Sequence, residues 1–235
     1  MNDIQLLEDL KKFDTPSITN VVATYPGNEY CLSLYSPWQT NWYTDQSVKC
    51  MYPELGRVAG YAVTAVYGMP SPGEDSLSFR DVLQAIGNVG KPTVLVIKQD
   101  LPEAYKAKSG LCGGNMTTAF KALGTVGVVS DGPSRDIDEI RPMKVQYLLT
   151  GVTAGHGPYA IKAVNVPVSV CGMDVSPGEI IHMDENGAVK FPAEKLEQVV
   201  DFAIKLQQKE AGMQQAMARA TDADEIFRIF SGDYK

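Results

Sequence analysis

The fold is decided by residues 113–136, which read GGNMTTAFKALG and then TVGVVSDGPSRD. Glycines bound a predicted helix over residues 115–123, and the apolar run 126–129 predicts a buried strand. One helix and one strand make half of a βαβ unit, which returns the chain to the edge of the sheet that it left. We therefore expect the turn of residues 131–136 to lie beside Gly113 and Gly114.

Strands and helices alternate around this stretch, and a β-rich half follows. The first half has predicted strands at 57–66, 93–97 and 147–150, and predicted helices at 76–88 and 137–143. The second half has short predicted strands at 164–170, 179–183 and 188–191, and the Asn-Gly of residues 186–187 predicts a hairpin turn. Further helices are predicted at 2–13, 14–23, 193–217 and 223–230. The pattern indicates a mixed α/β layer architecture in one domain, residues 1–235, with C-terminal helices over 193–235.

Residues 26–56 form an aromatic-rich segment without periodicity, which predicts a long loop or an insertion. Its aromatic residues are Tyr30, Tyr35, Trp38, Trp42 and Tyr43. A flap over the core or a subunit contact is the preferred interpretation, ahead of direct contact with a substrate.

Composition excludes several classes of protein. Apolar residues make up 44% of the chain, enough for a substantial core, and the net charge of -7 disfavours a nucleic-acid partner. The four cysteines form no C-x-x-C pair, which argues against a structural zinc site. No apolar run approaches the roughly 20 residues that span a membrane, and the N-terminus is polar, so a cytoplasmic protein without a membrane partner is expected.

Two segments carry candidate chemistry. Glycines before a helix expose its first N–H groups, so Gly113, Gly114, Asn115 and Met116 predict a subsite for an anion. The alternative is a tight turn with Asn115 as the helix cap.

The second segment is the turn after the strand, which carries Asp131, Arg135 and Asp136. Arg135 can bind a carboxylate or enolate through two hydrogen bonds, and Asp136 can hold a hydrated divalent cation. A surface Arg–Asp pair with Asp131 as a turn cap is the alternative. The histidines carry less weight: His156 lies in a flexible polar turn, and His182 is interpreted as a packing residue within a strand.

These residues resemble the RraA-like family, which includes pyruvate aldolases and a regulator of ribonuclease E. The resemblance lies in Gly113 to Met116, the residues 121–124 and 126–129, Asp131-Gly132 and Arg135-Asp136. It extends to residues 6–15, 56–64, 177–179, 184, 187 and 209–210, and residues 26–56 match least.

The resemblance implies a swivelling β/β/α three-layer domain assembled as a homotrimer or homohexamer. It implies a small 2-oxo acid substrate and Mg²⁺ or Mn²⁺, with Asp136 as a direct metal ligand. Arg135 would contact the pyruvate-derived enolate, and the amides of Gly113 to Met116 would hold the substrate carboxylate. Asn115 would reach the metal through water, and Glu210 would approach it from a neighbouring subunit.

The implied function is a metal-dependent lyase that releases pyruvate from a 4-hydroxy-2-oxo acid or decarboxylates oxaloacetate, because both reactions pass through the same enolate. A non-catalytic oligomeric regulator that binds a protein partner is the alternative. Asn115, an amide that supplies no negative charge, and the aromatic segment motivate that alternative.

Overall fold

The computed structural model describes residues 2–73 and 77–232. The helices are α1 Asp3–Leu10, α2 Thr15–Val22, α3 Phe79–Val89, α4 Glu103–Lys106, α5 Gly114–Ala122, α6 Ile137–Ile140, α7 Leu196–Met217 and α8 Ala223–Phe230. The strands are β1 Lys49–Cys50, β2 Val58–Gly68, β3 Thr93–Asp100, β4 Thr125–Ser130, β5 Gln146–Leu149, β6 Ala160–Val164, β7 Val168–Val170, β8 Met173–Val175, β9 Ile180–Asp184 and β10 Gly187–Phe191.

The centre of the fold is a parallel sheet of β2, β3, β4 and β5 in chain order. Strand β9 continues it beyond β2 in the antiparallel sense and pairs with β10, β6 pairs with the other half of β2, and β1 pairs with β5. The helices α3 and α5 pack on one face of the sheet, against Leu95, Val128 and Tyr147. The β7–β8 hairpin covers the other face, against Val94 and Val129. The parallel strands are therefore buried on both sides, as their continuous apolar runs require.

A further core forms where α1, α2 and α7 pack on β9 and β10. The segment 26–56 packs on this core: Trp42 is buried, stacks on Tyr35 at 4.9 Å and meets Tyr43 edge-on at 4.7 Å. It also supplies β1 at the edge of the main sheet. The mixed α/β layers agree with the fold class expected from the sequence.

The structure corrects several element predictions. The single strand expected over 164–170 is two strands, because Asn165 takes a positive φ of 54° and turns the chain between β6 and β7. The helix expected over 137–143 ends at Ile140 and continues as a 3-10 turn that contains Pro142, which lacks the backbone donor that a helix needs. Strand β8 and helix α4 were not predicted. The expected start of α3 at residue 76 lies outside the described residues.

The hairpin turn was predicted correctly, since β9 ends at Asp184 and β10 begins at Gly187. The start of α2 was also predicted correctly, because the Asp14 carboxylate accepts a hydrogen bond from the Ser17 amide at 2.9 Å. Within the described residues, no helix is long and apolar enough to cross a bilayer.

His182 is buried in β9 and joins the N-terminal helices to the sheet. Its Nδ1 accepts a hydrogen bond from the Thr15 hydroxyl at 3.0 Å, and its Nε2 donates one to the Leu10 carbonyl at 3.2 Å. The Thr15 amide donates to Asp184 Oδ2 at 2.7 Å beside it. Burial lowers the pKa of His182 to about 4, so the folded state holds a neutral imidazole.

His182 should therefore make the fold less stable in acid. Because the unfolded chain takes up this proton near pH 6.5 and the folded chain near pH 4, the free energy of unfolding falls as pH drops between these values, by up to about 3 kcal/mol. Urea unfolding of the wild type and of His182→Gln at pH 7.5 and 4.5 measures the effect. The variant should show a smaller loss of stability than the wild type, and equal losses would contradict the assignment.

Candidate active site

A pocket of about 200 Å³ opens at the carboxyl edge of the parallel sheet, where ligands bind in open α/β folds. Three stretches of chain line it: residues 110–113, 115 and 116 before and within α5, the pair 135–136 after β4, and residues 156 and 159 before β6. The half βαβ unit does bring the Gly-Gly turn and the Arg-Asp turn together, as expected from the sequence.

The turn before α5 is held from beneath by hydroxyl groups. The Cys112 carbonyl accepts hydrogen bonds from Thr117 Oγ1 at 3.1 Å, Tyr147 Oη at 3.0 Å and Ser134 Oγ at 3.2 Å. Cys112 itself is buried in the left-handed backbone conformation, with φ 58°, and burial raises the pKa of its thiol. The thiol is therefore a structural group, and its backbone fixes where Gly113 and Gly114 lie.

Asp136 is tied directly to this turn. Its Oδ2 accepts the Gly114 amide at 3.0 Å, although the two residues are 22 positions apart in the chain. The backbone of Asp136 is left-handed, with φ 58° and ψ 36°, which aims the carboxylate back at the start of α5. About a third of the side chain stays exposed, so the carboxylate can still meet a ligand from the pocket.

Arg135 lies beside that carboxylate, with Nε 3.6 Å from Asp136 Oδ2. It is half-buried and lines the pocket, so its guanidinium places a permanent positive charge there. The guanidinium suits the carboxylate or the developing oxyanion of a small ligand, because it can donate two parallel hydrogen bonds.

Glu139 is a residue that the sequence reasoning missed. It lies on α6, and its carboxylate sits against Gly114, where a Cβ would come within 2.2 Å of Oε1. The space that a side chain at position 114 would need is thus taken by a carboxylate from another helix. Because this depends on how α6 packs on α5, no local sequence signal indicates it.

Asp131 has a different role from Asp136. Its carboxylate accepts hydrogen bonds from Lys98 Nζ at 2.7 Å, from Lys106 Nζ at 2.8 Å and from the Gln99 backbone amide at 2.7 Å. These bonds join the end of β4 to the end of β3 and to α4. Asp131 therefore fixes the end of β4 through neighbouring elements and does not cap its own turn, where the Gly132 amide donates to Ser130 Oγ at 3.2 Å.

Most of the chain matches the model of a known protein family. The sequence profile of the RraA-like family, described as Aldolase/RraA, matches residues 36–190. The chain belongs to the RraA-like family. The resemblance expected from residues 113–136 is thereby confirmed.

Individual relatives share less of their length with this RraA-like chain. An uncharacterized protein of Methanocaldococcus jannaschii is 30% identical over 125 residues, 53% of this chain and 60% of that protein. A 4-hydroxy-4-methyl-2-oxoglutarate aldolase of Thermus thermophilus is 33% identical over 86 residues, 36% of this chain and 52% of that enzyme. The matched parts thus span about half to three fifths of these two curated relatives.

The fold of the RraA-like chain is found in solved structures. RraAS2 of Streptomyces coelicolor, described as an unusual member of the RNase ES inhibitor RraA protein family, aligns with a TM-score of 0.67 at 24% identity. The alignment covers 88% of this chain and 94% of that one. At this identity the likeness concerns the fold alone.

The predicted anion subsite of the RraA-like chain is changed in detail. The helix cap is Gly113, not Asn115, which lies exposed in the first turn of α5. The Gly114 amide is already bound by Asp136, so it is not open to a substrate carboxylate. The first-turn amides of Asn115 and Met116 have no acceptor within the helix and can serve that purpose.

Glu210 does not reach this pocket within one chain. It lies on α7 beside residues 26–28, and burial raises the pKa of its carboxyl, with Asp14 adding to the rise. Its approach from a neighbouring subunit stays a prediction.

The donor set fits a hydrated divalent cation. Asp136, Glu139 and the Asn115 amide offer only oxygen ligands, which Mg²⁺ and Mn²⁺ prefer, and Mg²⁺ keeps several of its waters. Among residues 2–73 and 77–232, no three acidic, histidine or cysteine side chains converge as a dense metal cluster. The residues therefore suit a cation held through few protein ligands, and Asp136 is the best placed of them.

Gly113 should be essential for the geometry of the pocket. A Cβ there would lie 2.3 Å from Asp136 Oδ2 and 3.1 Å from Arg135 Nε, so Gly113→Ala displaces both groups. A misplacement of catalytic groups by about 1 Å costs roughly 100-fold in rate. The rate of the reaction proposed below for this pocket should therefore fall by about that factor in Gly113→Ala. Gly151→Ala is the control, since its added Cβ meets nothing within 4 Å. Equal activity of the two variants would show that the close approach at Gly113 is unimportant.

Proposed function

We propose that this chain is a divalent-metal-dependent lyase that acts on a 2-oxo acid and releases pyruvate. The observation that carries the proposal is the hydrogen bond of 3.0 Å between the Gly114 amide and Asp136, with Arg135 beside it. The bond fixes a carboxylate and a guanidinium together at the start of a helix, in a pocket sized for a small acid.

The substrate class follows from the charges in the pocket. The free first-turn amides of α5 favour a carboxylate, and Arg135 favours an oxygen that becomes anionic. A 2-oxo acid has both groups on adjacent carbons. The Thermus thermophilus relative named as a 4-hydroxy-4-methyl-2-oxoglutarate aldolase supports this class.

Each residue of the site would have a distinct role in the reaction. Asp136 would hold the cation, and its water ligands would be bound by Asn115, which lines the same pocket, and by Glu139, whose carboxylate lies against Gly114. When bound, a divalent cation withdraws electron density from the 2-oxo group of the substrate. Arg135 stabilises the negative charge that develops on the same oxygen as the carbon–carbon bond breaks. The amides of Asn115 and Met116 orient the substrate through its carboxylate.

Cleavage of 4-hydroxy-4-methyl-2-oxoglutarate tests the proposal. Metal-stripped protein should release pyruvate after Mg²⁺ or Mn²⁺ is restored, and chelator should stop it. Each substrate molecule should yield two pyruvates, because both halves of this substrate are pyruvate units. Metal-independent release, or the absence of release from this and other 4-hydroxy-2-oxo acids, would contradict the aldolase part of the proposal.

A non-catalytic oligomeric regulator is the second candidate. The observation that favours it is Trp38, which is 89% exposed on the segment 26–56 and available to a partner. A trimer or hexamer suits either function. Turnover by the purified protein with no partner added would favour the lyase.

A further inference from the structure

We propose that His156 is the proton-transfer residue of this site; the proposal rests on the proposed lyase function. The retro-aldol reaction needs a base to take the proton of the 4-hydroxyl group and an acid to return a proton to the enolate. His156 lines the same pocket as Arg135 and Asp136, although it lies about 20 residues further along the chain. The sequence placed it in a flexible polar turn and gave it no role.

The hydrogen bonding of His156 defines which nitrogen can act as the base. Its Nδ1 lies 2.7 Å from the Gly157 carbonyl oxygen, which can only accept a hydrogen bond. Nδ1 therefore carries the proton in the neutral ring, and Nε2 holds the free lone pair. This is the tautomer that a general base requires, since no hydrogen bond within residues 2–73 and 77–232 uses Nε2.

The turn that carries His156 packs on residues 109–113, the segment that leads into α5. The Gly110 amide donates to the Gly155 carbonyl at 2.9 Å. Gly157 has φ 61° and packs so closely on Ser109 that a Cβ would lie 2.1 Å from its hydroxyl. The His156 ring also meets Tyr159 edge-on at 6.0 Å, and Tyr159 packs on the buried Tyr67. The turn is thus fixed against residues 109–113.

The other side chains of the pocket are poorly suited to the task. Asp136 accepts a hydrogen bond from the Gly114 amide, lies beside Arg135 and is the side chain assigned to the cation. Cys112 is buried, and Asn115 has no basic atom. Among the side chains that line the described pocket, His156 is the one that offers a neutral basic nitrogen.

The proposed step is balanced within the site. Nε2 of His156 takes the proton from the 4-hydroxyl group, a carbonyl forms at C4, and the electron pair of the C3–C4 bond passes to the enolate of pyruvate. The imidazolium then gives this proton to C3 of the enolate, and the ring returns to its neutral form. Decarboxylation of oxaloacetate differs, because carbon dioxide leaves without removal of a proton, and solvent can protonate the enolate.

This difference provides the test. We would compare the wild type with His156→Asn, whose amide can still donate to the Gly157 carbonyl but offers no basic nitrogen. Exchange of the pyruvate methyl protons with D₂O is followed by ¹H NMR with Mg²⁺ present, and oxaloacetate decarboxylation is measured on the same samples. Exchange and aldol cleavage should fall by about 100-fold or more, while decarboxylation stays within about 3-fold of the wild type.

Each result has a defined meaning. Exchange that survives in His156→Asn would overturn the assignment and place the base elsewhere, for instance on a water molecule. An equal loss of exchange and decarboxylation would also overturn it, because it would show a structural role. A wild type that catalyses neither reaction would overturn the proposed function itself, and the assignment of His156 with it.

Discussion

Asp136→Asn is expected to lower Mg²⁺-dependent release of pyruvate by roughly 1,000-fold. The physical reason is the loss of the charge proposed to hold the cation, which the Gly114 amide fixes in place through the bond of 3.0 Å. Because a bound cation contributes several kcal/mol to an enolate-forming step, its loss corresponds to about three orders of magnitude in rate. The turnover number and the Mg²⁺ concentration for half-maximal rate are the quantities to measure.

Asp138→Asn is the matched control for this substitution. It removes the same charge two positions away, on the exposed surface of α6 and outside the pocket. Its turnover and Mg²⁺ dependence should equal those of the wild type. If Asp136→Asn kept the wild-type response to Mg²⁺, Asp136 would not be the metal ligand.

Arg135→Lys is expected to lower the turnover number by about 100-fold and to change the Mg²⁺ dependence little. A lysine keeps the charge but loses the planar pair of donors that can meet a carboxylate or an enolate with two hydrogen bonds. Removal of a fixed donor for a developing oxyanion costs about 100- to 1,000-fold in other enzymes. Steady-state kinetics across a range of Mg²⁺ concentrations separates the two effects.

Arg141→Lys provides the comparison, since Arg141 pairs with Glu54 at the surface and covers the ring of Tyr52. It should leave turnover unchanged. If Arg135→Lys lowered only the affinity for the substrate and kept the turnover number, Arg135 would bind the substrate without stabilising the enolate.

The sequence predicted the half βαβ unit because its signals are local. Glycines bound α5 within one residue of the predicted helix, and the apolar run 126–129 lies inside β4. Chain geometry then requires the two turns to meet, and the Gly114–Asp136 bond shows that they do. The family resemblance rested on the same residues.

Two features of the site could not be predicted, because each depends on packing between distant segments. Glu139 reaches Gly114 only because the short α6 lies against the start of α5. His156 enters the pocket because its turn is bound to Gly110, 45 positions earlier. The helix cap is a local feature: Asn115 was the cap in the alternative interpretation, but α5 begins at Gly114 and its cap is the extended Gly113.

Decarboxylation of oxaloacetate by the metal-stripped wild type, before and after Mg²⁺ is restored, tests the central claim most directly. In the proposed mechanism this substrate needs the carboxylate subsite, Arg135 and a cation on Asp136, but no base, so it probes the enolate site alone. Pyruvate formation should rise well above the rate with Mg²⁺ in buffer, and chelator should abolish the increase. A rate equal to that of Mg²⁺ without protein would contradict it.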